Sequence, residues 1–447
     1  MEQNLTEGSV LKTVIRFSLP FLLAYFLQTL YGMADLFIIG QFYGVESTTA
    51  VAIGSQVMHM LTVMIVGLAM GSVVIIGQAV GAGDKERMNR AIGNTVVLFL
   101  LLSLVSTVLL LMLVDPIVRA MSTPQEAAAG TRAYLTICFL GIPFITAYNM
   151  ISSIFRGMGD SKTPMYLVAV ACGANILLDY YFMGSLDLGP AGAALGTTIS
   201  QTISVILSLF MIRRKKFGLH LSRSDCRPSL PLMGELLKIG GPVALQDGFI
   251  QIAFMVITIF ANLRGLNDAA AVGIVEKFIG ILFLLPSSML QTVSTLSAQN
   301  MGAGKHDRAR QTLYYACGIS IAWGLLIVVL MHFYAPQCIG LFSNSAQVVA
   351  SGCEYMKTYV WDVPFAGIHF CFSGFFCAYG LSGLSFLHNA LSILLVRIPL
   401  SWFAAKYFLE SLLPMGLGSP AGSLLSVIIC VTAFLILRKK QRQAGIL

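Results

Sequence analysis

Asn175 and Asp179 stand four residues apart in the apolar stretch 163–183, and Gln28, Tyr31 and Asp35 form a similar run in an earlier apolar stretch. At 3.6 residues per turn each set shares one helix face. A carboxylate in an apolar layer is expensive unless it faces a protein interior, so both faces are expected to turn inward. Two acids with neutral oxygens beside them, such as those of Asn175 and Thr197, suit a proton shared between carboxylates or a bound Na+.

The elements that must carry these residues follow from composition. Of 447 residues 57% are hydrophobic and 11% charged, with a mean hydropathy of +0.81, against about 25% charged in soluble domains. This is an all-α polytopic membrane protein by expectation. The start, MEQNLTEGSVLK, lacks the basic, apolar and small-residue order of a cleaved leader, so the first helix is expected to stay. Apolar segments divided by Gly, Pro or charges predict twelve spans: 13–39, 48–76, 89–114, 129–154, 163–183, 190–212, 233–260, 269–295, 310–333, 350–377, 384–407 and 420–437.

With the N-terminus inside, 21 of the 28 Lys and Arg residues fall in cytoplasmic segments, five outside and two within spans. That bias predicts a multi-pass protein of the cell inner membrane with both termini cytoplasmic. The net charge of +8 is then a matter of membrane lipids, with RRKK at 213–216 anchoring a helix end at the anionic inner leaflet. No nucleic-acid partner is expected.

The chain also repeats itself. GQAVGAGDKER (77–87) matches SAQNMGAGKHDR (297–308), and the shared Q-x-x-G-A-G-x-x-x-R is offset by 221 residues. The same offset sets Gly44 on Gly265, AVAI on AVGI, Tyr134 on Tyr355, Pro143-Phe144 on Pro364-Phe365 and Gly159 on Gly380, while Pro20 meets Pro242 at 222. Two six-helix bundles related by a pseudo-twofold axis are expected, with 1–212 as an N-terminal lobe, 213–232 as a basic cytoplasmic linker, 233–437 as a C-terminal lobe and 438–447 as a basic tail.

The repeat supplies a control, because a feature present in one half only needs a reason other than the fold. Asn175 and Asp179 fall on Val396 and Leu400, and Asp35 falls on Val256 or Ile257, so these charges belong to the first half alone. Counted from the span ends, Asp35, Asp179, Tyr134 and Thr197 lie at one level in the outer part of the membrane. Arg132 is the one base of that half near enough to reach them from the rim. The second half carries Asp247, Glu276, Lys277, Asp362, His369 and Arg397, a balanced set that reads as an internal ion-pair network or as substrate contacts. Nine scattered cysteines and six histidines form no ligand cluster. The glycine loops lack the G-K-[ST] of a nucleotide site.

On these motifs the chain resembles the MATE family of multidrug and toxic compound extrusion transporters, part of a superfamily that includes lipid-linked-saccharide flippases. The resemblance covers about residues 12–435. It rests on Pro20 and Asp35, the repeated Q-x-x-G-A-G-x-x-x-R, the two P-F pairs, R-G-x-G-D-S-K-T-P at 156–164 and N-x-x-x-D in the fifth helix. It is nearest to the branch with its cation site in the N-terminal lobe. That implies a cation, H+ or Na+, held by Asp35, Asn175, Asp179 and Thr197, with Tyr134 and Asn149 extending the polar network and Pro20 as a hinge in the first helix. The branch with a C-terminal site uses acids in helices seven and ten, where Asp247 and Asp362 match loosely.

The resulting expectation is a monomeric secondary antiporter, with no cofactor and no enzymatic activity. It exports small amphipathic or cationic organic compounds in exchange for an inward coupling ion. A saccharide-lipid flippase is the alternative; its anionic substrate wants an arginine-rich cavity. A major-facilitator porter would read near D-R-x-G-R-R where this chain has GAGDKERMNR.

Overall fold

The computed structural model describes residues 5–215, 222 and 224–443; of the basic stop at 213–216, only Arg213 has a described side chain. Among the described residues every regular element is helical. Ten helices are long and apolar enough to cross a membrane, and two bent pairs bring the number to twelve. The spans are Val10–Phe42, Val45–Ala82, Lys85–Met112, the pair Gln125–Leu140 and Ile142–Gly157, Lys162–Ser185, Gly189–Lys215, Leu230–Leu263, Leu266–Gly302, His306–Gly340, the pair Ala346–Tyr359 and Asp362–Ala378, Ser382–Tyr407 and Gly418–Gln443. Each expected span overlaps one of these.

Apolar periodicity does not reveal the breaks. The fourth span bends by 51° at Gly141 and the tenth by 41° near Trp361, each just ahead of the prolines Pro143 and Pro364. Proline has no N–H to give the preceding turn and its ring clashes there, so the helix restarts at a new angle. The fifth and eleventh spans also hold π turns, Tyr180–Ser185 and Ile393–Arg397. A π turn inserts a residue into the helical ladder and shifts every later side chain around the axis.

The repeated glycines close one kind of turn four times. Gly83, Gly159, Gly304 and Gly380 have φ of +71, +88, +70 and +72°, a left-handed conformation that costs glycine little. At each, the glycine N–H bonds back three residues and the next N–H bonds back five, as Gly83 to Val80 and Asp84 to Ala79. After the second and fourth spans an aspartate then opens the next helix. Asp84 accepts from Arg87 N at 2.9 Å, and Asp160 accepts from Lys162 N and Thr163 N, both at 3.0 Å. The spacing that the two halves share at these four glycines is therefore turn chemistry.

The described residues divide into two compact units, one within Leu23–Ala244 and one of Leu5–Leu22 with those from Leu245 onward. The first helix thus changes company two residues past Pro20, and the seventh two residues past Pro242. In the first unit, the start of the seventh helix packs backbone to backbone on the second: a side chain at Gly71 would strike the Leu236 carbonyl, and one at Gly240 the Leu68 carbonyl. Such close approach supplies helix packing where the surrounding lipid offers no hydrophobic drive. Residues just before that helix are tied down as well. Buried Asn94 donates to the carbonyls of Asp225 and Arg227 at 3.4 Å and accepts from Ser229 N at 2.7 Å.

In the second unit the arginine of the repeated motif grips the chain's N-terminal segment. Arg308 donates to the carbonyls of Gly8 and Glu7, both at 2.6 Å, and Lys305 donates to that of Thr6 at 2.9 Å. Its counterpart Arg87 reaches Glu235 at 3.5 Å, with both side chains about half exposed, and such a surface pair contributes ~0–1 kcal/mol. Arg308→Ala should therefore raise deuterium uptake over residues 5–17, while Arg87→Ala leaves 230–240 unchanged. Equal effects at both places would refute the distinction.

Candidate functional site

In the first unit, the C-terminal part of the first helix lies in a core formed with Val51, Met58, Leu135, Phe139 and Ala194. Ile38 and Ile39 are fully packed there, which turns Asp35, one turn earlier, toward the fifth and sixth helices. The fifth helix starts at the Asp160 turn and runs as a regular α-helix to Asp179, where the π turn begins. That turn is pinned at its far end by Tyr43, whose hydroxyl lies 2.6 Å from Asp187 Oδ1 and accepts from Gly189 N at 2.9 Å. Nothing in the sequence marked Tyr43; its partners are more than 140 residues away.

The structure brings together the four residues that the sequence singled out. Asp35 makes side-chain contact with Asp179, Asn175 and Thr197, the Thr197 hydroxyl lying 3.5 Å from Asp35 Oδ2. Asn175 Nδ2 lies 3.5 Å from Asp179 Oδ1. The three are sealed from solvent, at 3% exposure for Asp35, 1% for Asn175 and 0% for Asp179.

Three buried oxygens of this cluster, Asp35 Oδ1, Asn175 Oδ1 and Asp179 Oδ2, have no hydrogen-bond donor. A buried acceptor without a donor is costly, and a buried charge more so. The base that could reach from the rim is engaged elsewhere, since Arg132 pairs with Asp115 at 2.6 Å. Convergent acceptors with no base among them fit a proton or a small hard cation.

The other expected network residues are arranged differently. Gln28 and Tyr31 are half-buried on the first helix before Asp35. Tyr134 is buried but its hydroxyl sits 3.2 Å from Ser55, and Asn149 donates to its own helix at the Ile145 carbonyl. Asp362 and Glu276 belong to the second unit. There Asp362 pairs with Arg397 at 3.2 Å, and Arg397 also donates to Ser423 at 3.3 Å. Glu276 accepts from Thr258 at 3.3 Å while Lys277 points outward. His369 packs on His388, ring centroids 5.5 Å apart. In the second half Asp362 thus meets a base, although its Oδ1 and Glu276 Oε1 find no partner, and in the first half neither Asp35 nor Asp179 meets one.

One family model, MatE, matches the chain twice, over residues 20–181 and 242–403. Each match begins at one of the paired prolines, at an offset of 222 residues. The chain is 29% identical to the probable multidrug resistance protein YpnP of Bacillus subtilis, covering 93% of each chain. It is 25% identical to the multidrug export protein MepA of Staphylococcus haemolyticus, over 84% of this chain and 82% of that one. A solved structure described as the outward-facing conformation of a multidrug resistance MATE family transporter superposes with a TM-score of 0.91 at 22% identity, covering 100% of this chain and 98% of that one.

Proposed function

This chain belongs to the MATE family, and we propose that it is a secondary antiporter that exports amphipathic or cationic organic compounds in exchange for inward H+ or Na+. The observation that carries this reading is the Asp35–Asp179 pair, buried with unsatisfied oxygens and no base. In one state of the cycle the pair binds the coupling cation, which cancels one unit of its negative charge and gives the unpartnered oxygens Asp35 Oδ1 and Asp179 Oδ2 a common partner. Asn175 and Thr197 complete the ligand set for Na+ and orient the carboxyls for H+. In the other state water reaches the pair from the opposite side and the cation leaves.

Entry of one unit charge is driven by ~2.3 kcal/mol per 100 mV. That energy moves substrate because cation and substrate bias the same two-state equilibrium, each binding one conformation better. The orientation that fits is the one with both termini cytoplasmic, the basic segments facing anionic lipid. The six-helix half up to residue 212 carries the ion site, joined through 213–232 to the half spanning 233–437. Gln28, Tyr31, Tyr134 and Asn149 line the polar interior of the first half, and Glu276 and Asp362 that of the second. A monomer suffices, since both halves lie in one chain. For the flippase reading, Arg397 spends its charge on Asp362 and offers little to an anionic headgroup.

Proteoliposomes with separately imposed pH and Na+ gradients test the proposal: uptake of an organic cation that follows neither gradient would refute it. Pro20 is proposed as the hinge, since a missing backbone hydrogen bond softens the first helix beside the point where it passes between units. Pro20→Ala should lower cation-coupled transport severalfold without loss of folded protein. Unaltered coupling in that variant would reduce Pro20 to a packing residue.

A further inference from the structure

We propose that Gly196 is a positioning residue of the ion site, its missing side chain being what lets the Asp179 carboxylate lie against the sixth helix beside Asn175 and Asp35. This rests on the antiport reading above. A methyl built at Gly196 would overlap Asp179 Oδ1 and stand 3.1 Å from its Cγ and 3.5 Å from Asn175 Nδ2. A methyl at Gly196 would force Asp179 to turn its short side chain, which is 0% exposed and has the second carboxylate as a neighbour.

Backbone conformation does not explain the glycine. Gly196 lies inside a helix and is not among the glycines with positive φ, and alanine is the better helix former. One turn earlier Gly192 does the same for the π turn, where a methyl would come within 3.1 Å of both Met183 and Phe182. The two glycines make a shallow groove that receives the end of the fifth helix.

The other half has a close approach related to that of Gly192. In P-A-G-S on the twelfth helix, Gly422 faces the eleventh helix at its π turn, and a methyl there would stand 3.3 Å from Arg397 Cβ and 2.8 Å from Ser392 Oγ. In each half a glycine of the last helix thus lies against the preceding helix near its π turn: Gly196 against the Asp179 carboxylate, and Gly422 against Ser392 Oγ and Arg397 Cβ.

Gly196 also differs from the glycines that merely admit backbone. A methyl at Gly71 or Gly240 would strike a main-chain carbonyl, whereas at Gly196 it strikes only the tip of Asp179. The consequence of Gly196→Ala is therefore a displaced carboxylate in an intact fold.

The test uses full-length protein in proteoliposomes and a potentiometric proton titration of the purified protein, read as the difference from the Asp35→Asn/Asp179→Asn variant. Gly196→Ala should move the midpoint of the site's titration by about one pH unit or more and lower gradient-driven transport on the order of 100-fold. Gly32→Ala and Gly173→Ala, on the same two helices as the acids, meet nothing within 4 Å and should behave as wild type. A Gly196→Ala protein that titrates and transports like wild type overturns the proposal.

If Gly196→Ala folds poorly, a stability cycle decides. Asp179→Ala removes the atoms that the new methyl would strike, so Gly196→Ala should be nearly neutral in that background. Equal destabilisation in both backgrounds overturns the proposal. Neither the titration nor the cycle depends on transport, so a failure of the antiport reading would appear in the Asp35→Asn and Asp179→Asn transport assays and leave the Gly196 result standing on its own.

Discussion

Replacing Asp179 by asparagine should abolish gradient-driven export while the protein still folds and inserts, and Asp35→Asn should do the same. The amide has the shape of the carboxyl and keeps its place against Gly196, so packing is preserved. What it loses is the ability to be charged in one state and neutral in the other. Since no base lies in the cluster, the charge cycle proposed above would rest on these two carboxyls alone. The effect is therefore a loss of coupling to the level of protein-free vesicles and not a graded decline. The repeat provides the matched control. Leu400 and Val256 occupy the corresponding places in the second half, are half-buried, and should accept conservative apolar changes with little loss of transport. Uptake of a fluorescent organic cation under an imposed gradient measures all four; wild-type rates in both asparagine variants would remove the ion-site assignment.

The second large effect separates the two coupling ions. A proton needs one acceptor, and two neighbouring acids supply it because the first charge disfavours the second. Sodium needs several oxygens at once, and here those come from Asn175 and Thr197 as well as the acids. Asn175→Leu with Thr197→Val should therefore abolish Na+ binding and leave proton titration at the carboxyls. In the unaltered protein the two ions should compete, so that raising Na+ lowers the apparent proton affinity. Calorimetric Na+ titration across a pH series, on wild type and the double variant, reads both effects. A proton affinity indifferent to Na+ would mean that the four residues are not a shared site.

What was legible in the sequence is local. The twelve spans come from runs of apolar residues, and the two halves, with the paired glycines Gly83/Gly304 and Gly159/Gly380, from a constant offset; that these glycines are left-handed turns came from the structure. The asymmetry between halves was legible too, because an internal repeat turns a lone acid into a difference that can be counted. Depth and helix face singled out Asp35, Asn175, Asp179 and Thr197 together with Tyr134, and the family resemblance named those four as the cation set.

Contacts between distant residues had to wait for the tertiary structure. Thr197 and Asp35 are 162 residues apart, and no local pattern states that their oxygens meet or that three acceptors in the cluster find no donor. Span depth placed Tyr134 beside the acids, whereas the fold gives its hydroxyl to Ser55. The balanced charges of the second half left open which base meets which acid, and the eleventh helix's π turn carries Arg397 into its pair with Asp362. Glycine at 196 is unremarkable in a chain with 42 glycines. Its role emerges only when the fifth helix is laid against the sixth, because excluded volume is a property of two surfaces and a sequence records one at a time.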